Sequence, residues 1–395
     1  MDNFLSDGRL VRAIGSGPAT VAAPHRPRSL EEIGTVLNLD GETMPSPRDA
    51  VAVPLVSIDR PYLLFLGAVT DADDAKTAFG LRDWCRPACL GQFRLPGCTV
   101  DTGLPDLTPR AAVAAGARSL LIGVAPMGGA LDPAWMSALQ DALEAGLDLV
   151  SGMHARLAMH PPLAAAAARA GRRLLDLRRA DLPLAVGTGR QRSGGRLLTV
   201  GTDCALGKKY AALALAAELQ RRGVPAEFRA TGQTGIMISG RGIAVDAVVA
   251  DFVAGAAEAL SPDAPDGHWD VIEGQGSILH PAYSGVSVGL LHGSQPDAFV
   301  VCHDPTRHTL SGMPDFPVPP IEQVVALTIE LGRVTNAAIR CVGVSLNTSA
   351  VPELERAAVL AAHERRLGVP AFDPMRGGVG RVVDELLRGA DARRA

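Results

Sequence analysis

The segment at residues 196–223, RLLTVGTDCALGKKYAALALAAELQRRG, constrains the fold more than any other part of the chain. An apolar run at residues 197–200 is followed by a glycine-bounded loop at residues 201–207 and then by a stretch rich in Ala and Leu. A buried strand that such a loop joins to a helix is typical of parallel α/β sheets. We therefore predict a parallel sheet that contains this strand.

The chain is long enough for two domains, because 395 residues exceed one ordinary hydrophobic core. Residues 179–196, RADLPLAVGTGRQRSGGR, are basic and glycine-rich and lack an apolar period, which is typical of a linker. We place the boundary near residue 195. Residues 1–195, which begin with a leader rich in Pro and Gly, then form the first domain, and residues 196–395 form the second.

Apolar runs and amphipathic stretches alternate on both sides of this boundary. The pattern predicts a strand at Tyr62–Gly67, strands within residues 116–126 and 147–152, and helices after each of them. The stretch at residues 85–106, which carries Cys85, Cys89 and Cys98, is interpreted as a loop. Further strands are predicted in the second half, at residues 226–229, 271–273, 298–302, 340–347 and 369–372.

Composition and charge exclude several functional classes. The net charge of −4 comes from acids and bases mixed along the chain, so no basic stripe is available for nucleic acid. No apolar run reaches the length of a membrane span, and the first residues lack the pattern of a signal peptide. The six cysteines form no CxxC pair, so we expect neither a disulfide framework nor a bound metal. A cytoplasmic enzyme of the α/β class is expected.

The loop after the strand has the features of a phosphate cradle. Its glycines let backbone N–H groups face an anion, the following helix adds a partial positive charge, and Lys208 adds a full one. The spacing resembles the P-loop of dethiobiotin synthetase-like proteins, in which a Ser or Thr follows the lysine. Lys209 occupies that position here and cannot replace the hydroxyl that holds Mg²⁺, so the loop is better suited to binding phosphate than to cleaving it. The predicted cofactor-binding residues are Gly201, Thr202, Asp203, Cys204, Gly207, Lys208 and Lys209.

A second polar segment, WDVIEGQGSILHPAYSG, follows the strand predicted at residues 271–273. The carboxyl ends of parallel strands share one edge of a sheet, so Glu273, Gln275 and Ser277 should lie beside the P-loop. A solvated glutamate in a glycine-rich turn is the alternative interpretation. Three histidines, His280, His292 and His303, lie within 24 residues of one another. We take Glu273, His280 and His292 as the catalytic candidates.

The segment RATGQTGIMISGRG lies after another predicted strand and is a candidate ligand loop. Together with the glutamate segment it provides the predicted substrate-binding residues Arg229, Gln233, Thr234, Arg241, Gln275 and Ser277.

Long motifs along the chain resemble those of the D-glutamate N-acetyltransferase family, among them RLPGCTVDTGLPDLTP, VGTDCALGKKY, FRATGQTGIMISGRGIAVDAVVADFVAGAAE and LLHGSQPDA. The resemblance extends from about residue 60 to the C-terminus. It implies a Rossmann-like N-terminal domain, a P-loop C-terminal domain, and acetyl transfer from acetyl-CoA to the amino group of D-glutamate or a similar amino acid.

Acetyl transfer needs a base for the ammonium and donors for the oxyanion. Glu273 or His280 is the expected base, with His292 next, and the donors are expected from the backbone at residues 274–276 or from Gln233. The carboxylates of the substrate call for cations, for which Arg241, Arg229 and Lys209 are candidates. A covalent route through Cys204 is less favoured.

An ATP-dependent ligase or kinase-like reaction is the alternative function, and a nucleotide sensor without chemistry is a third. We also expect a homo-oligomer, because helices rich in Ala and Gly leave apolar faces to cover.

Overall fold

The computed structural model describes residues 55–124, 130–178 and 182–391. The Pro- and Gly-rich leader at residues 1–54 and part of the predicted linker lie outside these ranges. No helix in the described ranges is both long enough and apolar enough to cross a lipid bilayer.

The first half forms a five-stranded parallel sheet with the strand order β3-β2-β4-β5-β6. All six residues of β2 are buried, which is why its sequence is a continuous apolar run. The strands are β1 (Val56–Ser57), which lies outside this sheet, β2 (Tyr62–Gly67), β3 (Cys89–Arg94), β4 (Ser119–Ile122), β5 (Asp148–Ser151) and β6 (Leu174–Asp176). The helices are α1 (Lys76–Trp84), α2 (Pro109–Ala114), α3 (Met136–Ala145) and α4 (Pro161–Ala170).

The predicted loop at residues 85–106 is wrong over its first part, because β3 pairs with β2 there. Strand β3 lies at the edge of the sheet and contains Gly91 and polar residues, so its sequence lacks the apolar run that marks the inner strands.

The second half forms a six-stranded parallel sheet with the order β15-β14-β11-β7-β10-β8. Its elements, with two short antiparallel pieces outside the sheet, are β7 (Gly195–Gly201), α5 (Lys208–Arg221), β8 (Ala226–Arg229), α6 (Gln233–Ser239), β9 (Arg241–Gly242), α7 (Val253–Leu260), β10 (Trp269–Ile272), α8 (Ser284–Ser294), β11 (Ala298–His303), β12 (Thr309–Leu310), β13 (Met313–Pro317), α9 (Ile321–Gly332), β14 (Arg340–Leu346), α10 (Glu353–Leu367), β15 (Ala371–Phe372) and α11 (Val379–Asp391).

Both faces of this second sheet are covered. Successive residues of β7 point to opposite sides, so Leu197 packs in a core with α5 and α11, and Leu198 packs in a core with α8 and α9. Burial of both faces explains the continuous apolar strands. The predicted fold class, a Rossmann-like parallel sheet followed by a P-loop parallel sheet, is confirmed.

Several contacts join the second half to the first, among them contacts made by β9 and α6. Strand β1 pairs with β9, with Val56 opposite Gly242. Helix α6 places Ile236, Met237 and Ile238 in the core beneath the first sheet. The last strand of the first sheet ends at Asp176 and the first strand of the second begins at Gly195. We keep the domain boundary near residue 195 as a proposal.

Candidate functional site

The P-loop connects β7, in the middle of the second sheet, to α5. Gly207 precedes the helix with φ +96°, in the left-handed region that glycine adopts at little cost. Lys208 begins α5 and is buried, and its Nζ donates a hydrogen bond to the Asp203 carbonyl at 2.7 Å. Burial lowers the pKa of Lys208. The strand, loop and helix therefore fold as the sequence predicts.

Asp203 is a fully buried carboxylate inside this loop. Its Oδ1 accepts the Cys204 N–H at 2.6 Å, and its Oδ2 accepts Arg307 Nη1 and the Ser311 N–H, both at 2.8 Å. Arg307 also donates to the Cys204 carbonyl at 2.7 Å. Arg307 therefore compensates the charge of Asp203, and the β12–β13 turn that contains Ser311 is held on the P-loop.

The neighbouring strand β11 ends at His303, which contacts the loop as well. Thr202 Oγ1 and His303 Nδ1 lie 2.9 Å apart. Burial, together with the nearby His363, lowers the pKa of His303 to about 4. The ring is therefore neutral at pH 7.

Glu273 follows β10 and is buried rather than solvated. Its Oε2 accepts the N–H groups of Thr231 and Gly232, each at 3.0 Å, at the start of α6. A Cβ on Gly235 would lie 2.2 Å from the same oxygen, so only glycine allows this close approach. Burial raises the pKa of Glu273, and Lys209 is the strongest opposing influence. The charge of Lys208 also lowers the pKa of Glu273, but less strongly.

His280 is buried with a fixed arrangement of its ring nitrogens. Nδ1 lies 3.1 Å from the Ala282 N–H and must accept from it, so Nε2 carries the proton of the neutral ring. Nε2 has no hydrogen bond in the described structure and lies 3.8 Å from Asp203 Oδ1. In this state His280 is a donor and not a base.

The His280 ring also determines whether this cluster could bind a metal or activate the Cys204 thiol as a nucleophile. Ligand atoms of Asp203, Cys204 and His280 lie within 4.8 Å of one another. To bind a metal, or to act as the base for the Cys204 thiol, His280 would need a free lone pair on Nε2. The hydrogen bond from the Ala282 N–H to Nδ1 keeps a proton on Nε2 and so opposes both roles. Burial also raises the pKa of Cys204. The cluster therefore fits hydrogen bonding better than metal ligation or covalent catalysis.

A second group with metal-ligand spacing, Glu227, His268 and Asp270, already binds arginine. Arg229 pairs with Glu227 at 2.9 Å and with Asp270 at 2.8 Å, and Arg241 also pairs with Glu227. Both predicted substrate arginines thus have carboxylate partners within the protein.

The remaining candidates divide into two groups. Gln275 lies beside Glu273, because its Nε2 donates to Thr231 Oγ1 at 3.0 Å. Gln233 and Thr234 begin α6 and face the first half: a Cβ on Gly152 would lie 2.7 Å from Gln233 Cβ, and Thr234 Oγ1 lies 3.2 Å from Thr77 Oγ1.

Ser277 and His292 make local contacts. Ser277 is buried and its Oγ accepts the Leu279 N–H at 3.3 Å. His292 lies in the last turn of α8, with Nε2 3.1 Å from the Leu331 carbonyl. Helices between parallel strands run back toward the amino edge of the sheet, so the structure does not bring His292 to the P-loop. Its role as base stays a prediction.

Of the predicted oxyanion donors, the Gly274 N–H is already bound to Thr199 Oγ1 at 2.9 Å.

Comparisons with known proteins match both halves of the chain. A model of a Rossmann-like domain of unknown function, DUF1611_N, matches residues 93–180, and one of a P-loop domain of unknown function, DUF1611_C, matches residues 183–383. A D-glutamate N-acetyltransferase from Tritonibacter scottomollicae is 49% identical over 329 residues, which are 83% of this chain and 99% of that protein.

A D-glutamate N-acetyltransferase from Pseudoalteromonas sp is 44% identical over 331 residues, which are 84% of this chain and 100% of that protein. Among solved structures, a DUF1611 family protein from Anabaena variabilis superposes with a TM-score of 0.72 at 31% identity. That match covers 84% of this chain and 100% of the Anabaena protein.

Proposed function

This chain belongs to the DUF1611 family, and we propose that it is an N-acetyltransferase that acts on the amino group of D-glutamate or a similar amino acid. The observation that carries the proposal is the 49% and 44% identity to two D-glutamate N-acetyltransferases over nearly their full lengths. Identity at this level, over 99% and 100% of the two relatives, supports transfer of the reaction class, while the choice of amine depends on the site.

We propose acetyl-CoA as the acyl donor. When bound, it would supply a thioester and phosphate groups. The P-loop fits phosphate, since the backbone of residues 201–207 and the Lys208 ammonium lie at the start of α5. Lys209 fills the position of the magnesium hydroxyl, which supports phosphate binding without cleavage. An ATP-dependent ligase would need that hydroxyl, so it is the weaker alternative.

Glu273 is the proposed general base. The substrate ammonium must lose a proton before its nitrogen can attack a carbonyl carbon. A buried carboxylate with a raised pKa matches this task, because its proton affinity lies closer to that of the amine. His280 is proposed instead as a donor, since the Ala282 N–H keeps the proton on Nε2.

The wider setting is also part of the proposal. We propose a cytoplasmic enzyme that acts on small molecules as a homo-oligomer. Exposed apolar side chains support the oligomer, among them Leu354 at 97% and Val334 at 71% exposure. Light scattering should report a particle larger than the 41.0 kDa of one chain.

The reaction is tested by its product. Purified enzyme with acetyl-CoA and D-glutamate should yield N-acetylglutamate by mass spectrometry, and L-glutamate should yield less. Formation of an adenylated or phosphorylated product from ATP, with no acetylated product, would overturn the proposal.

A further inference from the structure

We propose that Lys209 and Glu273 form the two ends of a slot for an α-amino acid, in which Lys209 binds the α-carboxylate and Glu273 receives the α-ammonium. The inference rests on the proposed function and adds the residues that recognise the acceptor. Of the two roles that the sequence suggests for Lys209, phosphate binding and binding of a substrate carboxylate, it selects the second and specifies the α-carboxylate.

Lys209 points toward the first half of the molecule. Its Nζ lies 4.6 Å from the centre of the Tyr210 ring and would lie 3.6 Å from a Cβ on Gly80 of α1. Within the described ranges the ammonium makes no hydrogen bond and no ion pair within 4.0 Å. Its charge is therefore available to a ligand anion.

Glu273 has one oxygen in use and one available. Oε2 accepts two backbone N–H groups, whereas no hydrogen bond in the described part of the chain reaches Oε1. This is the oxygen that Gly232 approaches, since a Cβ there would lie 3.2 Å away. A substrate ammonium could donate to it directly.

The two charges act on each other without touching. Burial raises the pKa of Glu273 and lowers the pKa of Lys209, and each of the two groups is the strongest charge that opposes the shift of the other. Yet the pair forms no salt bridge within 4.0 Å. A structural ion pair in so buried a place would close to contact, because two buried charges that do not touch bear the cost of desolvation without a hydrogen bond between them. A zwitterion between them would satisfy both, with its carboxylate at the lysine and its ammonium at the glutamate.

Three arginines near the site are already paired. Arg229 and Arg241 bind Glu227, and Arg307 binds Asp203. The slot also joins the two halves, because Gly80 and Thr77 of α1 lie against Thr234 of α6. Recognition of the amino acid would thus need both sheets in place.

The test replaces Lys209 by Met, which is one atom shorter, keeps an unbranched flexible side chain and removes the charge. For D-glutamate, K209M should raise KM by roughly 10- to 150-fold, the value of one charge-assisted hydrogen bond, with the KM for acetyl-CoA unchanged. Calorimetry should show the same loss of D-glutamate affinity. The matched control is K76M, because Lys76 is exposed and its ion pair, with Asp73 at 3.3 Å, lies on the surface. K209R should restore part of the affinity.

Two substrate analogues decide which carboxylate is bound. D-2-aminobutyrate keeps the α-carboxylate, so K209M should raise its KM by the same factor as the KM for D-glutamate. γ-Aminobutyrate lacks the α-carboxylate, so its kcat/KM should be nearly equal in wild type and K209M. A larger effect on γ-aminobutyrate, or a raised KM for acetyl-CoA instead, would overturn the slot. Absence of acetyl transfer by wild type would instead overturn the proposed function.

Discussion

Replacement of Glu273 by Gln tests the general base with little disturbance of the fold. The amide oxygen of Gln can accept the same N–H groups of Thr231 and Gly232 that Oε2 accepts at 3.0 Å. What is lost is the basic oxygen and the charge opposite Lys209. We expect kcat to fall by about 10²–10⁴-fold, or about 2.7–5.4 kcal/mol in the activation free energy, with the Kd for CoA unchanged.

The pH profile provides a second measurement. A base works only when deprotonated, and burial raises the pKa of Glu273, so wild-type kcat/KM should rise with pH through that raised pKa and then level off. E273Q should lack this acidic limb and recover some activity at high pH, where more of the substrate amine is already neutral. The control is E353Q, on the exposed first turn of α10.

Near-normal turnover by E273Q, or an unchanged acidic limb, would refute the assignment of Glu273 as the base. The same substitution test on His280 and His292, the other two candidates from the sequence, would then follow.

Two further predictions concern the P-loop. K208A should weaken CoA binding by about 1.5–3 kcal/mol in calorimetry, because one charge-assisted hydrogen bond to phosphate is lost; equal affinity in wild type and variant would remove the P-loop from donor binding. R307M should lower the free energy of urea unfolding by about 1–3 kcal/mol, because the buried Asp203 keeps its N–H donors but loses its cation. The double variant D203N/R307M should recover part of that loss, and no recovery would contradict the pairing.

The parts of the site that the sequence predicts are those that depend on neighbouring residues. The strand before Gly201 and the helix at Lys208 follow from local apolar patterns and glycine. The position of Glu273 beside the loop follows from strand direction, because β7 and β10 are parallel neighbours. The sequence indicates that burial raises the pKa of Glu273, but it does not show whether burial outweighs the nearby lysine charges that lower this pKa.

The parts that the sequence does not reveal depend on contacts between distant residues. Arg307 and Ser311 reach Asp203 from more than 100 positions away. Ser311 lies in the turn of a hairpin of two short strands, and Arg307 lies just before the first of them. Arg229 and Arg241 seemed available until the structure placed Glu227 between them. Helix α6 packs on the first sheet, which no pattern in its own sequence indicates.

The proposal of acetyl transfer is tested most directly by measuring two reactions of the same enzyme preparation. Free thiol released from acetyl-CoA and phosphate released from ATP are followed side by side, each with and without D-glutamate. An N-acetyltransferase should release thiol in an amount that depends on D-glutamate and equals the N-acetylglutamate formed, with no phosphate release above background. Phosphate release that depends on the amino acid, without release of thiol, would contradict the proposal.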